Sequence, residues 1–289
     1  MGVVRDAVLV AAGLGTRMFP ISAFVPKETL PLVDVPLLTH LILEAKAAGI
    51  ERLHIVVSPS KSFDHMLENK SDALTLRPQL DAVLFAAAEG MEVFTHLQME
   101  PKGVGDAIGA ALDAVEGPFL VMLGDNLLMD VHASTAAYAP SLASQRLIAA
   151  HGDREGATVG LMEVSEDAVQ RYGIVAMDGD NIVAMVEKPT VSEAPSRLAL
   201  CGRYVFPHNT QEALAGCSFE EHGELQSIAV QKQWMEEGHL YGTVLENTQW
   251  YDSGSPETWL QAQVDHALRR PDLGPAFARW LKQRLDGQR

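Results

Sequence analysis

The feature that most constrains this chain is an alternation, through its first half, of short apolar runs with apolar residues at helical spacing. Ala7 to Ala11 is an apolar run closed by Gly13 and Gly15, which reads as a buried strand entering a glycine-rich loop. Leu37, Leu38, Leu41, Ile42 and Ala45 recur on one helical face, with Pro36 at a tolerated first-turn position and Gly49 as a stop. Leu53 to Val57 and Phe119 to Leu123 are strong strand candidates, Val93 to Gln98 a weaker one, and Val104 to Val115 reads as a helix. Alternation of this kind covers both faces of a sheet with helices, so the pattern predicts a doubly wound α/β fold with a mostly parallel sheet. Ligands of such sheets gather at the carboxyl ends of the strands.

From about Ala157 the pattern changes. Tyr172 to Met177 and Ile182 to Glu187 flank Asp178-Gly179-Asp180, a hairpin signal, so the sheet is expected to be mixed. Helices are expected over Glu224 to Glu237, Pro256 to Leu268 and Gly274 to Leu285. The expected organisation is one α/β unit over residues 1–268 followed by a helical tail over 269–289. Within the unit, a first half of about 1–130 is distinguished from a second of about 131–255.

At 289 residues and 47% hydrophobic content the chain can fill a core without staples. Its two cysteines, Cys201 and Cys217, are too far apart for a Cys-x-x-Cys pair and read as ordinary thiols. The amino terminus lacks the order of a signal peptide, and no apolar run is long enough to span a bilayer, so a cytoplasmic location is expected. A net charge of −16 argues against nucleic acid or an anionic membrane as partner, since both reward a basic surface. It does not exclude a small anionic substrate, which a few local cations and backbone amides can hold.

Ala12-Gly13-Leu14-Gly15-Thr16-Arg17-Met18 follows the first strand, and Pro26-Lys27-Glu28 comes shortly after. Glycines let backbone amides approach a polyphosphate, and Arg17 and Lys27 can neutralise the remaining oxygens. Two familiar loops are disfavoured: no Gly-Lys-Ser/Thr ends this one, and Met18 stands where a dinucleotide fingerprint has its third glycine. Alone, a Gly-x-Gly turn is equally compatible with a structural loop. Asp125 follows Phe119 to Leu123, where a strand-end carboxylate can hold a hard cation.

The string AAGLGTRMFP, followed by VPKETLPLVDVPLL, resembles the sugar nucleotidyltransferase family, and within it the bacterial UTP-glucose-1-phosphate uridylyltransferases. The resemblance continues through Gln98, Gly103 to Ala107, LGDN at Leu123 to Asn126, Tyr172 to Val175, VEKP at Val186 to Pro189, and Ala194 to Phe206. It extends into the tail at Arg270 to Gly274, Phe277, Trp280 and Leu281. It implies a Rossmann-like nucleotidyltransferase fold with a small β-rich sugar-binding part, the first half holding nucleotide and the second the sugar. Ala12, Gly13, Leu14, Gly15 and Thr16 would hold the nucleoside triphosphate, with Arg17 and Lys27 on its phosphates. Gln98 and Gly103 would read the pyrimidine. Asp125 and Asp252 would bind Mg²⁺, Asp125 also facing the nucleotide. Gly173, Glu187, Lys188 and Gly202 would hold the sugar phosphate, Lys188 meeting its phosphate. Without the resemblance, Asp252 before Ser253-Gly254 reads equally as a turn residue.

The implied reaction is direct attack by a sugar 1-phosphate oxygen on the α-phosphorus of UTP. Such a reaction needs no protein nucleophile, which agrees with ten histidines that form no His-x-x-x-His or Cys-His pattern. A homodimer or homotetramer is implied by the resemblance alone. Departures bear on substrate choice. Asp106 stands where the uridylyltransferases have histidine, and His222-Gly223-Glu224-Leu225-Gln226-Ser227 replaces Gly-Asp-Glu-Ile-Gln-Leu. Tyr251 to Pro256 is closer to the thymidylyltransferase form, so dTTP, CTP or another phosphorylated acceptor stays open, as does a non-catalytic regulatory paralogue.

Overall fold

Ala7, Val8 and Leu9 are wholly buried because their strand, β1 (Asp6–Val10), has parallel neighbours on both sides and helices on both faces. The computed structural model describes residues 2–216 and 227–287. After β1 come the short strands β2 (Pro31–Leu32) and β3 (Val35–Pro36), α1 (Leu37–Ala47), β4 (Arg52–Val57), the single turn α2 (Asp64–Leu67), β5 (Glu92–Leu97), α3 (Val104–Gly109), β6 (Phe119–Leu123) and β7 (Asn126–Met129). The second half adds α4 (Ala143–His151), β8 (Ala157–Glu163), β9 (Gly173–Asp178), β10 (Asn181–Glu187), β11 (Leu198–Phe206), α5 (Thr210–Gly216), α6 (Ser227–Glu236), β12 (Leu240–Val244), β13 (Gln249–Asp252), α7 (Pro256–Arg269) and α8 (Gly274–Asp286).

One nine-stranded sheet runs in the order β5-β4-β1-β6-β11-β8-β12-β10-β9. Its first four strands are parallel, as the alternation predicts. Beyond β6 the sheet is mixed: β11 runs antiparallel to both β6 and β8, while β12 lies parallel to β8. The expected hairpin is present as β9 and β10 around Gly179. Successive residues of β1 feed two cores. Ala7 and Leu9 pack with Leu38, Leu41 and Ile42 of α1, and Val8 packs with Ile108 of α3, Phe206 and Trp234. Burying each leucine of α1 contributes about 1.5–3 kcal/mol, which is why a helix with few exposed positions holds its place.

The helix expected over Val104 to Val115 stops at Gly109, and a separate 3₁₀ turn covers Leu112–Ala114. Glycine is a poor interior helix residue, and the chain tightens there to i→i+3 bonds such as Ala111 N–H to Ile108 O. Of the helix expected over Glu224 to Glu237, Ser227–Glu236 forms α6; Glu224 to Gln226, His222 and Gly223 lie outside the described residues, as does Cys217. Pro36 precedes α1 rather than opening it.

Two long-range features place the site. A separate antiparallel ribbon pairs β7 with β13, setting Asp252 opposite Asn126. Beneath it, Arg203 of β11 and Glu44 of α1 form a buried bidentate pair, Nε to Oε1 at 2.9 Å and Nη2 to Oε2 at 2.8 Å. Ser144 donates to Glu44 Oε1, while Arg203 also donates to the carbonyls of Gly202 and Asn126.

Candidate active site

The glycine loop leaves β1 at its carboxyl end. Gly15 has φ of +65°, a left-handed conformation that a side chain would strain, and Ser22 Oγ donates to its carbonyl at 2.7 Å. The loop is tied from below by Lys61, absent from the sequence reading. Its ammonium donates at 2.7 Å to the carbonyls of Ala11 and Gly13 and at 2.9 Å to the buried carboxylate of Glu28. With two carbonyls drawn inward to one cation, the loop between Ala12 and Thr16 is held in one conformation. Leu14, Thr16 and Arg17 are exposed at its outer side, whereas Ala12 is buried.

Lys27 enters the crevice from the short turn after Pro26, and its Nζ lies 2.6 Å from Asp125 Oδ2 at the end of β6. Burial pushes the Asp125 carboxyl up, but the Lys27 ammonium and Arg17 outweigh it and leave the group below its usual range. Burial opposes the Lys27 charge too, and Asp125 with Glu28 overcomes it, so this pair stays ionised. Asn126 Nδ2 donates to the other Asp125 oxygen at 2.8 Å and is itself fixed by Trp250 Nε1 at 2.7 Å.

The β7–β13 ribbon brings Asp252 to this pair from more than a hundred residues further along the chain. Ser253 N–H donates to the Asp125 carbonyl at 2.9 Å, and Asp252 Oδ1 accepts from Gly254 N–H at 2.9 Å. Burial, with the like charge of Asp125, raises the Asp252 carboxyl above its usual value. Arg17 packs against the same turn: a methyl group on Gly254 would lie 2.7 Å from Arg17 Nη2 and 2.9 Å from Asp252 Oδ1. Arg17, Lys27, Asp125 and Asp252 therefore converge in one place.

Gln98, at the end of β5, donates through Nε2 to Gly103 O at 2.9 Å and to Asp106 Oδ2 at 2.8 Å. Gly103 opens α3 with φ of 100°, which only glycine adopts readily. A cavity of about 300 Å³ is lined by Gly13, Lys27, Gln98, Gly103 and Asp125 together, joining the loop, the ion pair and the amide. A larger one, about 520 Å³, sits at the opposite end of the central strands near Pro118, Gly156 and His239 and holds none of these groups.

The second-half residues form an adjoining wall. Glu187 ends β10 and Lys188 follows it, both exposed and 3.5 Å apart, and Lys188 N–H donates to Tyr172 O at 3.0 Å. Tyr172 Oη reaches Asp252 Oδ2 at a long 3.5 Å, and its ring lies 4.5 Å from that of Trp250, so it links the Lys188 turn to the carboxylates. A methyl on Gly173 would meet Glu187 Oε2 at 3.0 Å, and one on Gly202 would meet Asn126 Nδ2 at 3.1 Å. Gly173 thus abuts the candidate Glu187, and Gly202 abuts Asn126, which holds Asp125. The structure does not bring Lys188 into contact with Lys27 or Asp125.

A strand-end cluster of two cations and two carboxylates beside a glycine loop defines a site for anionic phosphates at the switch region of an α/β sheet. The family model described as Nucleotidyl transferase matches residues 6–268, and the chain belongs to that family. It is therefore a nucleotidyltransferase. A UTP-glucose-1-phosphate uridylyltransferase of Mycoplasma pneumoniae is 32% identical over 92% of this chain and 93% of the relative. Its counterpart in Streptococcus pneumoniae is 31% identical over 97% and 96%. Among solved structures, a UDP-glucose pyrophosphorylase from Acinetobacter baumannii superposes with a TM-score of 0.80 at 27% identity, covering 97% of this chain and 99% of that one. Among the described residues no helix is long and apolar enough to cross a membrane.

Proposed function

We propose that the chain transfers a uridylyl group from UTP to glucose 1-phosphate, giving UDP-glucose and pyrophosphate, with Mg²⁺ as cofactor. The observation that carries this reading is the convergence of Lys27, Asp125, Asp252 and Arg17 beside the Gly13–Thr16 loop. A phosphate oxygen of the sugar phosphate forms a bond to the α-phosphorus of UTP as the bond to the bridging oxygen breaks, and pyrophosphate leaves with that electron pair. The attacking phosphate is ionised near neutral pH, so no side chain need remove a proton. What the enzyme must overcome is repulsion between two anions, and Lys27 and Arg17 supply fixed positive charge for that. Lys188 meets the sugar's phosphate, Glu187 accepts from its hydroxyls, and Gln98 with Gly103 reads the base.

The residues fit a magnesium ion. Asp252 is a half-buried carboxylate raised by burial and by the like charge of Asp125, which a cation would relieve. Mg²⁺ is commonly held by one or two carboxylates, which the Asp125 and Asp252 pair could supply, together with substrate phosphates and water. When bound, it would be held by Asp125 and Asp252 and would neutralise phosphate charge. The relatives' names support UTP and glucose 1-phosphate.

The test is pyrophosphate release with Mg²⁺ from UTP, dTTP, CTP, ATP and GTP, each with glucose 1-phosphate and other phosphorylated acceptors. UTP with glucose 1-phosphate is expected to be fastest. A different winning pair would overturn the substrate assignment and keep the reaction class.

A further inference from the structure

Gln98 is 7% exposed and lines the crevice together with Lys27 and Asp125. A side-chain amide nitrogen carries two protons, and here it faces two acceptors, Gly103 O at 2.9 Å and Asp106 Oδ2 at 2.8 Å. Turning the amide over would set its oxygen against a backbone carbonyl and a carboxylate, so a single orientation is tolerated. The atom left for a ligand is Oε1, which accepts no hydrogen bond from the described residues. The identity of residue 106 matters here. A hydroxyl, an amide or an imidazole can offer either a donor or an acceptor, whereas an ionised carboxylate only accepts and so admits only the nitrogen side of Gln98.

We propose that Asp106 is a positioning residue that selects a pyrimidine with a ring N3–H over cytosine, by holding Gln98 with Oε1 free for the base. Uracil and thymine carry a proton on N3 and donate to such an oxygen. Cytosine N3 is an acceptor and would oppose it, leaving two lone pairs in a desolvated contact. The inference rests on the crevice being a pyrimidine nucleotide site, and it assigns to Asp106 a role that acts only through Gln98.

Equilibrium binding of UTP, dTTP and CTP to the full chain, read by calorimetry beside thermal unfolding, separates the two claims. The wild type is expected to favour UTP over CTP by at least roughly 100-fold, because a site built around a hydrogen bond rejects the analogue that cannot make it. Asp106→Ala leaves one anchor on Gln98, and the UTP-to-CTP ratio should fall roughly tenfold, an effect of one lost hydrogen-bond partner. Loss of a first-turn carboxylate from α3 lowers stability but does not change that ratio. Should the alanine variant fail to fold, Asp106→Asn serves, since its amide can present a donor and should lower the ratio several-fold. An unchanged ratio in the folded variant, or a wild type indifferent to the base, overturns the role of Asp106. A wild type that binds none of the three nucleotides overturns the nucleotide-site reading itself.

Discussion

Two ion pairs sit one layer apart, and their surroundings are opposite. Arg203 and Glu44 are 0% and 2% exposed, and every side of the pair is met by a partner: Ser144, the Gly202 carbonyl and the Asn126 carbonyl. Lys27 and Asp125 share one 2.6 Å contact and face a crevice, with side chains 12% and 21% exposed. The first pair is complete and can accept nothing further, so it is a staple between α1 and β11. The second is incomplete, with Asp252 and Arg17 beside it, and a phosphate or a cation would finish it. The same chemistry is structural where all hydrogen-bonding capacity is consumed and functional where some is left open.

Substitutions should separate the pairs. Lys27→Ala is expected to lower kcat/KM by roughly 10³-fold, the scale of removing a positioned charge from a transition state, with a change in melting temperature of only a few degrees. Asp125→Asn should behave alike. Arg203→Met is the mirror case. It leaves Glu44 buried and unpaired, so it should cost about 3–5 kcal/mol in denaturant unfolding, while kcat of the folded fraction stays within several-fold of wild type. If Arg203→Met lost turnover without losing stability, the division between staple and site would be wrong.

Smaller effects sharpen the same contrast. Lys61→Met releases the Ala11 and Gly13 carbonyls and also leaves the buried Glu28 carboxylate without its partner, so stability should fall, and in the folded fraction the KM for nucleotide should rise roughly tenfold, with kcat less affected, because loop order and not charge on the reacting phosphate is removed. The smallest effect concerns neither pair. His40 and His266 are buried and held neutral, burial together with neighbouring cations pushing them down to about 3 and about 4 from an ordinary 6.5. The unfolded chain takes up these protons as pH falls below 6.5 and the folded chain does not, so stability is full above that pH and declines from there towards about 4 for His266 and about 3 for His40. A melting temperature measured against pH should show this slope, and His266→Gln should flatten it.

How far the sequence could be read depended on how local each signal was. The parallel half was legible because strand, loop and helix follow one another, and Arg17, Lys27 and Asp125 lie within short strings at strand ends. Asp252 needed the family resemblance, since the β7–β13 ribbon that carries it to Asn126 joins segments more than a hundred residues apart. Lys61 has no local pattern beyond its place after β4, next to the strand that feeds the loop. Arg203 carried a usable signal: an arginine in the apolar run LCGRYVF demands a buried partner, although nothing in the sequence names Glu44. Tyr172 stood inside a recognised motif, but its link between Lys188 and Asp252 exists only in three dimensions. The histidines gave no spacing pattern, and four of the ten have structural surroundings: His40, His54, His151 and His266 are buried. The thiol of Cys201, pushed up to about 12 by burial, is likewise inert.

The most direct test of the account follows the α-phosphate itself. Wild-type enzyme and Lys27→Ala are incubated with Mg²⁺, UTP labelled at the α-phosphorus and glucose 1-phosphate, and label in protein, UMP and nucleotide sugar is measured beside released pyrophosphate. Direct transfer at the Lys27–Asp125 crevice predicts label in UDP-glucose equal to the pyrophosphate formed, none on the protein, and near-total loss in the variant. Label retained on the protein, pyrophosphate release without an acceptor, or an unimpaired Lys27→Ala enzyme would contradict it.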